Sequence, residues 1–154
     1  MEEVKKQGME SLFCPYEQAL ALKELGFDEE CIATFTDSRL LIHGKQSIDA
    51  VKGSGLHNRH LGGSGRIITA PLYQQAFKFF REKYNLQCWP EPTGSDRYSC
   101  RYDGNDDIGK RYVGYLRDNL NNILFYKTYE EAELECLIKL IKIVKHEKNS
   151  NIKL

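Results

Sequence analysis

The chain predicts an α+β fold: an N-terminal helix plus β-hairpin, then a helix, a short antiparallel sheet and a long C-terminal helix packed on the sheet. Three observations carry this expectation. Leu72, Ala76, Phe80 and Tyr84 recur four residues apart, aromatic and polar residues alternate over Tyr98–Tyr102 and Arg111–Arg117, and a capped apolar stripe follows Thr128.

The first helix is signalled by Pro15 at its first turn and stopped by Gly26, with Ala19, Leu20, Leu22 and Leu25 as apolar material between them. Cys31–Thr36 is β-branched and aromatic, Asp37-Ser38 is turn chemistry, and Arg39–His43 reads as the returning strand. From Gly44 to Arg66 the periodicity fades, and Lys52–Arg66 holds five of the twelve glycines. Glycine makes extended or left-handed backbone accessible and buries little surface, so this stretch reads as an exposed loop and as the boundary between two subregions.

The second helix is expected from Thr69-Ala70-Pro71 through Tyr84, with Tyr73 and Phe77 widening its apolar stripe. Asn85 closes it, and Leu86–Trp89 opens a strand that Pro90 and Pro92 confine to a sheet edge or end. Tyr98–Tyr102 and Arg111–Arg117 pair across an irregular loop opened by the turn signal Asp103-Gly104-Asn105, and Ile123–Tyr126 reads as one more short strand. In the last helix, Thr128 and Glu131 form a capping-box pattern. Acidic residues crowd the first turns, and Lys139, Lys142, Lys145 and Lys148 follow towards the end, each sign where the helix dipole favours it. Leu134, Leu137, Ile138, Ile141 and Val144 supply the expected buried stripe, widened by Leu140 and Ile143, and the tail from Asn149 is expected to fray.

A chain of 154 residues with 41% hydrophobic and 11% aromatic side chains can bury its own core, so residues 1–154 are expected to form a single domain. Its subregions would be a helix-hairpin at 1–47, the glycine-rich loop at 48–66, a helix-sheet-helix at 67–148 and the tail at 149–154. Lys+Arg and Asp+Glu both total 22, so no net field draws the molecule to nucleic acid or membrane. Local patches remain: residues 1–36 carry three basic and eight acidic side chains, and residues 37–127 carry fourteen and nine. Cys14, Cys31, Cys88, Cys100 and Cys136 are odd in number and free of any C-x-x-C pair, as expected for reduced core residues rather than a disulfide framework or zinc knuckle. No segment has the character of a signal peptide or a membrane span, and a cytoplasmic address is the expectation.

Two stretches carry candidate binding chemistry. Lys52, His57, Arg59, His60 and Arg66 lie in the glycine-rich stretch with no acidic residue among them, the material of a phosphate or nucleotide cradle, although no phosphate-loop pattern is present. Arg101, Tyr102, Arg111 and Tyr115 interleave aromatic and basic side chains on presumed strands, as single-strand nucleic-acid binders do and as ordinary cross-strand packing does. Asp103, Asn105 and Asp107 have the opening spacing of a calcium loop but lack the glutamate that closes one. No nucleophile-elbow pattern occurs, and the four histidines lie in unrelated contexts. The reading leans away from an enzyme, with no catalytic residue, metal or cofactor expected. The order helix, strands, helix over 70–147 is also that of double-stranded-RNA-binding domains, but Glu130, Glu131, Glu133 and Glu135 would repel phosphate where such domains need lysine.

Tyr16–Asp28, Thr69–Tyr84 and Thr128–Val144 together resemble an uncharacterised group of short proteins from phages and mobile elements of Bacteroides-like gut bacteria. The resemblance covers the three helices and their order, and Ile48–Gly65 departs from the shorter connection of the group. It implies a small non-enzymatic viral accessory protein, acting in the host cytoplasm by binding a host protein or protein–nucleic acid complex, such as an inhibitor of a host defence system of the anti-CRISPR kind. The alternatives are a nucleotide-binding protein that sequesters or cleaves a phosphorylated signal, and a nucleic-acid-binding accessory protein. An edge beyond Trp89 would also allow a sheet-edge homodimer.

Overall fold

The computed structural model describes residues 8–43, 59–60, 66–94, 96–105 and 111–151, in an α+β arrangement of three helices and two antiparallel sheets. Helix α1 is Tyr16–Glu24, strands β1 and β2 are Ala33–Thr36 and Arg39–Ile42, and β3 and β4 are Arg59–His60 and Arg66–Thr69. Helix α2 is Tyr73–Tyr84, strands β5, β6 and β7 are Leu86–Pro92, Tyr98–Asn105 and Arg111–Tyr115, and helix α3 is Tyr129–Asn151. The chain divides into two compact units, residues 1–75 and 76–154.

In the first unit, α1 ends as its sequence requires. Gly26 takes φ +92°, its N–H bonds Lys23 O, and the N–H of Phe27 reaches back to Leu22 O, both at 2.9 Å. This is a Schellman motif, with Phe27 and Leu22 both buried. The hairpin follows the sequence expectation: Thr36 pairs with Arg39, and Asp37 and Ser38 take φ +48° and +62°, the left-handed pair of a two-residue turn matched to strand twist. The sheet runs β2-β1-β4-β3, so β1 is central and Ala33, Thr34 and Phe35 are all buried. Thr34, a polar residue in that position, has its hydroxyl 3.0 Å from His43 Nε2. Phe13, Ala19, Ala33, Phe35, Ile68 and Ala70 form the core, with the Tyr16 ring edge-on to Phe35 at 5.5 Å.

Here the structure departs from the sequence expectation. Arg66–Thr69 is a strand, registered Thr34↔Thr69, Phe35↔Ile68 and Thr36↔Ile67, because its β-branched residues fill the second side of β1. Helix α2 therefore starts at Tyr73 rather than at Thr69-Ala70-Pro71. Gln75 Oε1 accepts the Leu72 N–H at 3.1 Å, and the Gln75 amide donates to Glu30 O at 2.9 Å. Arg59, His60 and Arg66 belong to strands, and the rest of the glycine-rich stretch, 44–58 and 61–65, lies outside the described residues. Lys52 and His57 lie outside the described residues.

In the second unit, Asn85 at φ +50° ends α2 and turns the chain straight into β5, at the edge of the sheet β5-β6-β7. Strand β6 runs on through Asp103-Gly104-Asn105, which the sequence presents as a turn. Gly104 is needed there because a Cβ would collide with the Leu86 side chain and lie 2.6 Å from Asn85 O. Local turn chemistry yields to a close approach between two strands. Asp103 and Asn105 are therefore ladder residues rather than the opening of a loop, and Asp107 lies outside the described residues. Ile123–Tyr126 forms no strand but two single bridges, Arg117↔Ile123 and Tyr98↔Tyr126.

Helix α3 lies on β5 and β6. Its N-terminus is capped as expected: the Thr128 hydroxyl accepts the Glu131 N–H and Glu131 Oε2 accepts the Lys127 N–H, each at 3.1 Å. The buried face is Ala132, Cys136, Leu137, Leu140, Ile141 and Val144, rotated from the expected stripe, with Leu134 and Ile138 half-buried. The rotation lets Ala132 and Cys136 meet the sheet. Cys100 Sγ donates to Ala132 O at 3.1 Å, and the Cys136 thiol touches Cys100 and Cys88. The helix continues to Asn151, past the point where fraying was expected. No helix of the described residues is long and apolar enough to cross a membrane.

Candidate functional site

Alternation along three paired strands separates the two faces of the β5-β6-β7 sheet. Leu86, Cys88, Cys100, Tyr102 and Gly104 face α3, and Lys139 Nζ sits 4.8 Å from the Tyr102 ring centre. The opposite, open face carries Gln87, Trp89 and Glu91 from β5, Arg101, Asp103 and Asn105 from β6, and Arg111, Val113 and Tyr115 from β7.

Register assembles these residues into two groups. Trp89, Arg101 and Tyr115 lie side by side, because Trp89 pairs with Arg101 and Arg101 with Tyr115. The guanidinium of Arg101 is 6.0 Å from the Trp89 ring and 5.8 Å from the Tyr115 ring, a cation between two aromatic faces. Glu91 closes the group: Oε1 lies 3.7 Å from Arg101 Nη1, and Oε2 accepts a 2.6 Å hydrogen bond from the Tyr115 hydroxyl. That bond to a carboxylate, with burial and the Glu91 charge behind it, holds the Tyr115 pKa above its ordinary value.

One step along the strands, Arg111 grips Asp103 with both arms of its fork, Nε to Oδ1 at 3.2 Å and Nη2 to Oδ2 at 3.1 Å. The pair lowers the Asp103 pKa and raises that of Arg111. Asn85, Gln87, Gly104 and Asn105 complete an open polar depression of about 310 Å³ around this pair.

The structure thus brings Arg101 and Tyr115 into one cluster, sets Arg111 beside it in a separate ion pair, and puts Tyr102 on the other face under Lys139. In the first unit, β3 and β4 set Arg59 opposite Ile67 and His60 opposite Arg66. Trp89 and Glu91 join this face although neither stands out in the sequence as a binding residue, and Asp103, which the sequence offers as the opening of a calcium loop, is instead the ion-pair partner of Arg111. The signal for Trp89 lay in Gln87-Cys88-Trp89, where alternation puts Trp89 opposite the buried Cys88.

The buried thiols have a different character. Burial pushes Cys31 up to about 12, and hydrogen bonding with Cys100 and Cys88 holds the Cys136 thiol far above its ordinary value, so neither is a thiolate near neutrality. Among the described residues no group of His, Cys, Asp and Glu is arranged to hold a metal ion. Comparison with protein-family models, curated proteins and solved structures finds no match for this chain.

Proposed function

We propose that this chain is a non-enzymatic binding module whose recognition surface is the open face of the β5-β6-β7 sheet and whose ligand is a protein. The observation that carries the reading is the half-exposed Trp89–Arg101–Tyr115 cluster. Tryptophan, tyrosine and arginine dominate the energetic centres of protein interfaces, since each combines large contact area with a directional polar group. Holding Arg101 and Tyr115 in place through Glu91 lowers the ordering cost of association.

The charges of the face argue against phosphate as the main ligand. Arg101 is offset by Glu91 and Arg111 by Asp103, whereas a nucleic-acid face needs cations free to displace counterions. The resemblance of the three helices to short phage and mobile-element proteins supports a host protein, alone or within a protein–nucleic acid complex, as the partner.

Trp89 is the single tryptophan of the chain, so its emission reports directly on the proposed face. Titration with nucleotides and single-stranded oligonucleotides is expected to leave the emission unchanged, and a saturable change that weakens with salt would replace the reading with a nucleic-acid one. Immobilised wild-type protein is expected to retain a specific partner from a lysate of its host. Trp89→Ala and Arg101→Glu should lose that partner at unchanged melting temperature; equal retention by both variants would remove the open face as the binding surface.

A further inference from the structure

The two edges of the β5-β6-β7 sheet differ in what they offer another strand. The bonds Thr93 N to Arg97 O at 2.9 Å and Asn105 N to Asn85 O at 3.4 Å set the phase of the β5–β6 ladder. Odd-numbered residues of β5 direct their backbone groups at β6, and even-numbered ones direct theirs outward. Pro90 and Pro92 are therefore at outward positions, where they present no N–H, and this edge is blunted beyond Cys88.

On β7 the bond Leu116 N to Cys100 O at 3.0 Å sets the opposite parity. Arg111, Val113 and Tyr115 direct their N–H and C=O groups to the outer edge. From Leu116 onward the chain covers this edge itself, through Leu124 N to Leu116 O and Asp118 N to Asn122 O, both 2.9 Å. Among the described residues no strand lies beyond β7 at 111–115, and Val113 is 51% exposed.

We infer that the free edge of β7 pairs with β7 of a second copy of this chain, antiparallel about a two-fold axis at Val113. The sequence Arg111-Tyr112-Val113-Gly114-Tyr115 is self-complementary in that register. Val113 faces Val113 of the second copy, and each Arg111 faces a Tyr115, so cation meets aromatic face and no like charges are opposed. All three outward residues fall in hydrogen-bonded pairs, each of which exchanges two backbone bonds, giving about six across the axis. The two sheets become one six-stranded sheet, and two Trp89–Arg101–Tyr115 clusters then share a continuous open face.

Analytical ultracentrifugation over a concentration series tests the pairing. Wild-type protein is expected to pass from 17.8 kDa to twice that mass. Val113→Pro removes only an outward N–H, a position at which an edge strand tolerates proline. The loss of both central bonds should weaken the dimer roughly tenfold or more. Val113→Cys is the second test: directly opposed residues of a hydrogen-bonded pair have Cα atoms about 5.5 Å apart, within disulfide range, so mild oxidation should yield a covalent dimer. A wild-type monomer at all concentrations, a dimer indifferent to Val113→Pro, or a Val113→Cys protein that does not cross-link would overturn the inference. A monomer that instead binds an extended peptide along β7 would assign the edge to strand addition by a different chain.

Discussion

The Tyr115 hydroxyl donates a 2.6 Å hydrogen bond to Glu91 Oε2 and so ties β7 to β5 across the whole width of the intervening β6. Because the carboxylate stabilises the neutral phenol, the folded-state pKa lies above the ordinary tyrosine value of about 10. The sign follows from linkage: the stability contributed by this bond is complete below pH 10 and is lost as pH rises through the higher folded value. An alkaline absorbance titration of wild type minus Tyr115→Phe is expected to isolate one late-ionising tyrosine. A Tyr115 that ionises at the ordinary value would mean that the strap is open in solution.

Two carboxylates of the same unit act at the acid end, Asp103 on β6 and Asp118 in the turn after β7. Asp103 is lowered by the Arg111 fork, and Asp118 by the Asn122 backbone N–H and side chain and by the Leu120 N–H. Their contribution is present above the ordinary aspartate value of about 3.9 and disappears as pH falls through their lowered folded values. The double variant Asp103→Asn, Asp118→Asn is expected to show a shallower loss of melting temperature on acidification than wild type. Parallel acid limbs would assign acid sensitivity to other groups.

At Gly104 there is no room for a side chain between β6 and the start of β5. A methyl group there would meet the backbone at Asn85 O, 2.6 Å away, and at Leu86 Cα, 2.9 Å away, and neither can swing aside as a side-chain tip would. Gly104→Ala should destabilise the protein by roughly 1–3 kcal/mol, the usual cost of overpacking. Gly8→Ala, with nothing within 4 Å, should be near neutral. Urea denaturation of the two variants makes the comparison, and equal midpoints would show that the strands can separate at Gly104 without cost.

These features differ in how far the sequence exposes them. Gly26, the Asp37-Ser38 turn and the Thr128–Glu131 capping box act through residues a few positions apart, so local chemistry identifies them. Strand β4 was hidden because Ile67-Ile68-Thr69 runs directly into Ala70-Pro71, and a proline so close to an amphipathic run reads as a helix start. Only the need of β1 for a second neighbour makes those residues a strand. The site was half legible for a related reason. Alternation within 98–102 and 111–115 sets Arg101 beside Tyr115, and Arg111 within reach of Asp103, only once register is known, and nothing in either run says that α3 covers the Tyr102 side. Trp89 and Glu91 enter the cluster from a third strand, so a run read alone cannot nominate them.

Tyr126 shows a local conflict that a single atom can relieve. Its backbone is well satisfied, exchanging bonds of 2.9 and 2.8 Å with Tyr98, yet its hydroxyl is buried and has no hydrogen-bond partner among the described residues. Burial, then the neighbouring Cys100, Glu135, Cys136 and Cys88, push its pKa well above the ordinary tyrosine value, so the group stays a neutral, undonated O–H at every physiological pH. A buried polar group without a partner forfeits its hydration, at a cost of about 1–3 kcal/mol. Tyr126→Phe keeps the ring and the Tyr98 bridge while deleting the oxygen. Thermal denaturation is therefore expected to show a melting temperature raised by a few degrees, roughly 1 kcal/mol of added stability. A fall of similar size would show that the hydroxyl finds an acceptor in solution, with the Glu135 carboxylate and the Cys100 thiol among the neighbouring groups able to provide one.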